Sequence, residues 1–330
     1  MDVVELSSNR PPERFYRGGA GIVSFRGEPG PAPAREPEDW VASTTSLFGE
    51  PTRGRSTLPD GRSLAAAVTA DPLGWLGPAH VDTFGADTKL LVKLLDAGQR
   101  LPVHAHPHRS FAATHLGRSH GKAEAWYILS GGVVHLGLCE DIPAHELAAL
   151  VQEQDTEALL GLLHRIEVHR GDVVYVPPGV LHAIGEGVFL VEVQEPEDLS
   201  ILLEWKGFEL DGARDGHLGL GFGVALAAVE RTARTIEEIA LLVGPAGVGP
   251  QVLPVAAGEY FVLERVSVAG SAVLRSGFGV LVVLSGSVQV RPAAGAVTRL
   301  AAGTTTVVPY AAGALQVAGE AELLMCRPPS

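Results

Sequence analysis

The chain is written mostly in a period of two. Residues 166–196, IEVHRGDVVYVPPGVLHAIGEGVFLVEVQEP, alternate apolar and polar positions and break at Gly171, Pro177, Pro178, Gly179, Gly185 and Gly187. That pattern predicts strand, turn, strand, turn, strand. AEAWYILSGGVVHLGL (123–138) has the aromatic and β-branched content of a hairpin turning at SGG. TKLLVKLLDAG (88–98) is a continuous apolar run interrupted by lysines and reads as a buried strand, with LPVHAHPHRS (101–110) as the next one. From 251 onward short strands return, among them GVLVVLSGSVQVRP (279–292) and AAGTTTVVPYAAGALQV (301–317).

Three segments change period. DGRSLAAAVTADPLGWLG (60–77) predicts a short helix capped by Asp60 or Ser63 and ended by Pro72. In 143–165, leucines at 147, 150, 159, 160, 162 and 163 with Ala, Glu and Gln predict helix in two pieces broken near Asp155. ALAAVERTARTIEEIALLV (225–243) predicts another. The proline-rich stretch 27–37 is a loop. The second half repeats the rhythm of the first: apolar strand, LSG, alternating strand, then VVP where the first has YVP. The expected architecture is therefore mainly β, two small barrels of one type with helical insertions. Residues 1–225 would form the first unit, with a helical insert at 143–165, and 226–330 the second.

Composition narrows the function classes. At 330 residues, 46% hydrophobic and 19% charged, the chain is an ordinary globular protein, and its 40 glycines and 23 prolines suit many short strands. A net charge of −13 argues against a nucleic-acid surface. No apolar stretch reaches the ~20 residues of a membrane helix and no signal peptide is visible, so no membrane partner and a cytoplasmic setting are expected. Cys139 and Cys326 lie far apart without a CxxC, as buried reduced thiols would.

All 12 histidines fall between His80 and His217. Three of them, His104, His106 and His108, alternate. Alternate strand residues share a face, so this is a metal-binding edge, a pH-sensitive patch, or a solvated strand end. Glu124 follows some twenty residues on, and His182 follows the tight turn PPGVLH. HxH alone is weak evidence; HxH, a Glu, then a His after a Gly/Pro turn is the spacing of the cupin (jelly-roll) β-barrel. Three imidazoles and a carboxylate suit Zn²⁺, with Mn²⁺ or Fe²⁺ as alternatives, one per chain and all in the first barrel.

Longer motifs sharpen this. GKAEAWYIL (121–129), GDVVYVPPGVLHAIGEGVFLVEVQ (171–194) and LLVKLLDAGQRLPVHAHP (90–107) resemble the type I phosphomannose isomerases, zinc-dependent two-cupin enzymes. Weaker likeness extends to RFYRGG (14–19), EDWVAST (38–44) and GRSLAAAV (61–68), covering most of residues 14–206. The resemblance implies His104, His106, Glu124 and His182 as metal ligands, with His104 where the family usually has glutamine. It implies interconversion of mannose 6-phosphate and fructose 6-phosphate through a cis-enediol, with Lys122 matching the family's active-site lysine. Glu192 and Gln194 follow on the strand after His182, as candidates for catalysis and for substrate binding respectively. One departure is conspicuous: Ile201 or Leu202 stands where the family has an arginine. Arg109 and Lys206 are the cations that would compensate by binding substrate. His108 is expected at the pocket rim, and His115 and His120 on the surface. The resulting expectation is an aldose–ketose isomerase of a sugar phosphate, acting as monomer or homodimer. Two alternatives stand beside it, an isomerase of a non-phosphorylated sugar and a cupin that binds sugar without turnover.

Overall fold

A computed structural model describes residues 1–329. Among these residues seventeen strands form three antiparallel sheets. In chain order they are β1 (Val4–Glu5), β2 (Glu38–Val41), β3 (Leu91–Asp96), β4 (His104–Ala105), β5 (Glu124–Ser130), β6 (Gly132–Leu138), β7 (Leu163–Val168), β8 (Asp172–Val176), β9 (His182–Ile184), β10 (Phe189–Gln194) and β11 (Ile201–Leu202). They continue as β12 (Val243–Pro245), β13 (Val262–Leu274), β14 (Gly279–Arg291), β15 (Thr298–Ala301), β16 (Thr305–Val308) and β17 (Leu315–Arg327). One six-stranded sheet, ordered β12-β8-β5-β10-β3-β2, and a five-stranded sheet, β11-β4-β9-β6-β7, make the first cupin barrel. The second barrel is the sheet β1-β16-β14-β17-β13 with β15 on β14. The fold is mainly β, two cupin barrels with helical insertions.

The insertions sit where the period changes, with two corrections. The first helix, Leu64–Ala70, stops before Pro72 as expected, but Pro72 is also the first residue of a second, Pro72–Leu76, capped by the Asp71 carboxylate, which accepts from Gly74 N–H at 2.9 Å. The insert divides as its sequence indicates, into Ala144–Glu153 and Thr156–Gly161, with the Asp155 carboxylate accepting from Ala158 N–H. Residues 225–243 do not form one helix. Only Ile236–Ala240 is a regular α-helix there, begun by a capping box of Thr235 and Glu238, while the preceding stretch winds as short turns packed under the first barrel.

The segment 123–138 is not a hairpin. β5 and β6 lie in different sheets, because the chain turns a barrel corner at Gly131 and each strand pairs elsewhere. The LSG of the second barrel is likewise no turn. β14 runs straight through it with a bulge between Val283 and Ser285. Both cysteines are free, but Cys139 is exposed and only Cys326 is buried.

The two barrels exchange edges. β1 pairs with β16 of the second barrel, and β12 pairs with β8 of the first. Arg26 joins them further, its guanidinium donating to Asp39 of the first barrel and to Thr305 Oγ1 of the second. One apolar cluster runs from Trp126, Val174 and Leu190 to Phe261, Val282 and Leu324, so the barrels share core. Among the described residues no helix is long and apolar enough to cross a membrane.

Candidate metal centre and cavity

Backbone pairing builds the site. His104 of β4 lies opposite His182 of β9. The turn that delivers His182 depends on Gly179, whose φ of +85° favours glycine and whose N–H reaches the His106 carbonyl at 2.6 Å. The strand carrying the histidines is only two residues long, since Pro107 breaks it and His108 becomes the N-cap position of a helix, Arg109–Leu116. His106 therefore reaches the site from just past the strand end, and His108 faces outward and exposed.

His104, His106 and His182 are all buried, and one nitrogen from each lies within 4.8 Å of the others. Each Nδ1 donates to a backbone carbonyl: His104 to Pro102 at 2.8 Å, His106 to Leu199 at 2.8 Å, His182 to Val180 at 2.9 Å. This fixes three tautomers with the Nε2 lone pair free to accept. Burial pushes His104 far below the ordinary imidazole value. Burial, then the Lys122 ammonium, pushes His106 down to about 3, so both are neutral. Glu124 stands 3.0 Å from His106 Nε2 and 3.2 Å from His182 Nε2, and His182 Nε2 has no hydrogen-bond donor. Lys122 bridges Glu124 and His106, but the His182 lone pair faces the carboxylate with no proton between them, which is unfavourable unless a cation bridges the two. The donor set thus fits a divalent ion.

Above these residues opens a cavity of about 420 Å³ including its mouth. Lys93 and Glu192 line it as the middle of a row: Trp40, Lys93, Glu192 and Trp126 are successive partners over β2, β3, β10 and β5 and share one face. Lys122 Nζ donates to Glu124 Oε2 at 2.6 Å and His106 Nε2 at 2.8 Å, and stands 3.7 Å from Glu192 Oε1. Lys93 Nζ is 3.4 Å from the same oxygen. That Oε1 is buried without a hydrogen bond, and burial raises the Glu192 carboxyl above its ordinary value, opposed by Lys93.

The structure brings His104, His106, Glu124, His182, Lys122 and Glu192 together, and leaves three predicted residues outside the cavity. Arg109 is bound to Glu195 and Glu259 and covers the Tyr260 ring at 4.4 Å, which ties the helix Arg109–Leu116 to the second barrel. Lys206 is exposed beyond β11. Gln194 lies beside Glu124 across the sheet, but its amide donates to the Glu195 and Glu197 carbonyls and holds the following loop. His120 is buried, not superficial, with Nε2 2.6 Å from Asp87 Oδ2.

Other residues line the cavity that the reading of the chain had not singled out: Arg14, Tyr16, Glu38, Lys93, Asp198 and Ser200. Glu38 accepts from Arg14 Nε at 3.0 Å, Tyr16 Oη at 2.7 Å and Trp40 Nε1 at 2.7 Å. Although burial alone would raise it, Arg14 and Lys93 hold this carboxyl well below the usual range. Of the two residues at the missing arginine, Leu202 lines the cavity while Ile201 packs in the core behind it.

The architecture and its histidine cluster define a two-barrel cupin with a donor set for one cation in the first barrel. The particular proteins it is similar to are mannose-6-phosphate isomerases. The enzyme of that name from Streptococcus mutans is 37% identical over 134 residues, 38% of this chain and 41% of the relative. A probable mannose-6-phosphate isomerase of Bacillus subtilis is 37% identical over 130 residues, 36% of this chain and 39% of the relative. The aligned part thus spans about two fifths of these relatives' length. No family model matches the chain. Among solved structures, a putative mannosephosphate isomerase from Archaeoglobus fulgidus superposes with a TM-score of 0.78 at 20% identity, covering 99% of this chain and 98% of that one. The mannose 6-phosphate isomerase of Bacillus subtilis gives 0.72 at 21% identity, covering 99% and 100%. The chain has the phosphomannose isomerase fold.

Proposed function

We propose that the protein is a metal-dependent aldose–ketose isomerase, transferring a proton between C1 and C2 of a sugar through a cis-enediol. The names of its relatives nominate mannose 6-phosphate as one substrate to test. The observation that carries the reading is Glu192 Oε1, a buried carboxylate oxygen without a hydrogen bond, in a cavity that His104 of the three-imidazole cluster also lines. His104, His106, Glu124 and His182 would hold Zn²⁺, or Mn²⁺ or Fe²⁺, and such an ion supplies Lewis-acid polarisation of the sugar carbonyl.

The chain's own residues do the rest. Glu192 takes the proton from C2 of the aldose and returns it to C1 on the same face; its raised carboxyl is a stronger base than an exposed glutamate. Lys122 donates to the oxygen that gains charge as the enediol forms, and its contact with Glu124 keeps it oriented. Lys93, stacked 4.8 Å over the Trp40 ring, fixes Glu192 from the other side. Trp40 and Trp126, both fully buried, close the wall against water.

The test is turnover of the Zn²⁺- or Mn²⁺-loaded chain with mannose 6-phosphate, mannose, lyxose and fructose, followed by ¹H NMR in D₂O for exchange at C1 and C2. Isomerisation with deuterium incorporation is expected. No turnover of any sugar at one metal per chain would overturn the enzyme reading and leave a sugar-binding cupin.

A further inference from the structure

Every cation that faces the cavity is already engaged by a carboxylate. Arg14 meets Glu38 at 3.0 Å and Asp198 at 3.8 Å. Lys93 meets Glu38 at 3.7 Å and Glu192 at 3.4 Å. Lys122 meets Glu124 at 2.6 Å and Glu192 at 3.7 Å. With Glu124 counted as a metal donor, the remaining carboxylates Glu38, Asp198 and Glu192 equal the three cations in number. Each of the three cations thus has a carboxylate partner before any ligand enters.

A phosphate dianion needs the opposite arrangement: guanidinium or ammonium N–H groups left free to donate to it. Position 202, which lines this cavity, is a leucine. The other two candidate cations, Arg109 and Lys206, are held or exposed elsewhere. The entrance makes the mismatch worse. Arg14 and Asp198 are the least buried charged groups of the lining, with side chains 13% and 12% exposed, so they form the rim. Asp198 also accepts from Phe48 N–H, which holds the carboxylate in place. An incoming phosphate would meet a fixed negative charge beside a cation already shared between two carboxylates. Sugar hydroxyls, which both donate and accept, match such a rim of paired charges and the nearby Ser200.

We propose that the substrate is a neutral, non-phosphorylated aldose or ketose, with Arg14, Asp198 and Glu38 as its hydroxyl-binding group and Leu202 as the residue that excludes phosphate. This rests on the isomerase reading above and names its substrate class. The two are tested separately with the metal-loaded full chain.

Turnover is measured with mannose and lyxose against mannose 6-phosphate, and binding of mannose and mannose 6-phosphate by titration calorimetry. Wild type should favour the free sugar in kcat/KM by at least about a hundredfold. Leu202→Arg, and independently Asp198→Asn, should each raise the phosphorylated-to-free ratio about tenfold or more, by adding a cation or releasing Arg14. Preference for mannose 6-phosphate in turnover or in binding would overturn the inference. Turnover of no sugar would overturn the isomerase reading, and calorimetry alone would then decide this one: tighter binding of free mannose supports it, tighter binding of the phosphate refutes it.

Discussion

Replacing His182 by alanine isolates the metal centre from the rest of the cavity. The imidazole is fully buried, its Nδ1 is committed to Val180, and its Nε2 has nothing to accept from. If a structural zinc set is worth about 10–16 kcal/mol, four donors contribute about 3–4 kcal/mol each. At 1.36 kcal/mol per decade, loss of one weakens binding about 10²–10³-fold. The variant should therefore lose its metal on dialysis against a weak chelator that leaves wild type at one ion per chain. The assay is elemental analysis backed by a competitive zinc titration. His169→Ala, at a side chain 73% exposed and outside the cluster, is the control and should behave as wild type. Truncation also opens space beside Trp126 and His104, whose rings lie 5.7 and 4.0 Å from His182, so some loss of stability is expected. Circular dichroism must show a folded chain before metal content is compared. A folded His182→Ala protein with unchanged stoichiometry and affinity would refute the ligand assignment.

Two further outcomes follow from the site and its surroundings. Glu192→Gln should keep its metal while turnover falls about 10²–10⁴-fold, the usual worth of a general base; retained turnover would remove Glu192 from that role. His120 carries a pH dependence of stability. Burial and the Lys89 ammonium 3.2 Å from Nδ1 oppose its charge, yet the hydrogen bond to Asp87 and the Glu195 carboxylate 3.8 Å from Nδ1 raise it to about 8. A folded-state value above the unfolded ~6.5 stabilises fully below pH 6.5, and that stabilisation fades as pH rises through 8. After allowance for solvent screening it amounts to about 1 kcal/mol. Urea midpoints at pH 6 and pH 9 should therefore separate wild type from His120→Gln by that amount at pH 6 only, and parallel behaviour at both would discard the account.

The convergence of these side chains was legible in the chain because their placement is local: HxH, the Glu of GKAE, and the His after PPGVLH each sit at a strand end set by nearby turn residues. The cavity's charged wall was harder. Lys93 did signal itself, as a lysine in an otherwise unbroken apolar run, since a buried strand carries a charge only if a partner waits for it. Its partner Glu38, and Arg14 beyond it, come from distant segments whose pairing only the register of β2 on β3 reveals. Arg109 misled because adjacency in sequence to the histidines is lost once Pro107 breaks the strand and a helix carries the side chain away. The SGG corner read as a hairpin for a similar reason. A tight turn looks the same in sequence whether the two strands pair or enter opposite sheets.

The exchange of β1 and β12 between the barrels bears on aggregation. A sheet that ends in an unpaired strand offers its open N–H and C=O groups to any neighbouring molecule. Here the border of the first barrel at β8 is shielded by residues 243–245, and that of the second at β16 by residues 4–5. Each of these two borders is thus covered by a strand the other half of the chain supplies, and a fragment cut between them would expose the border on both pieces.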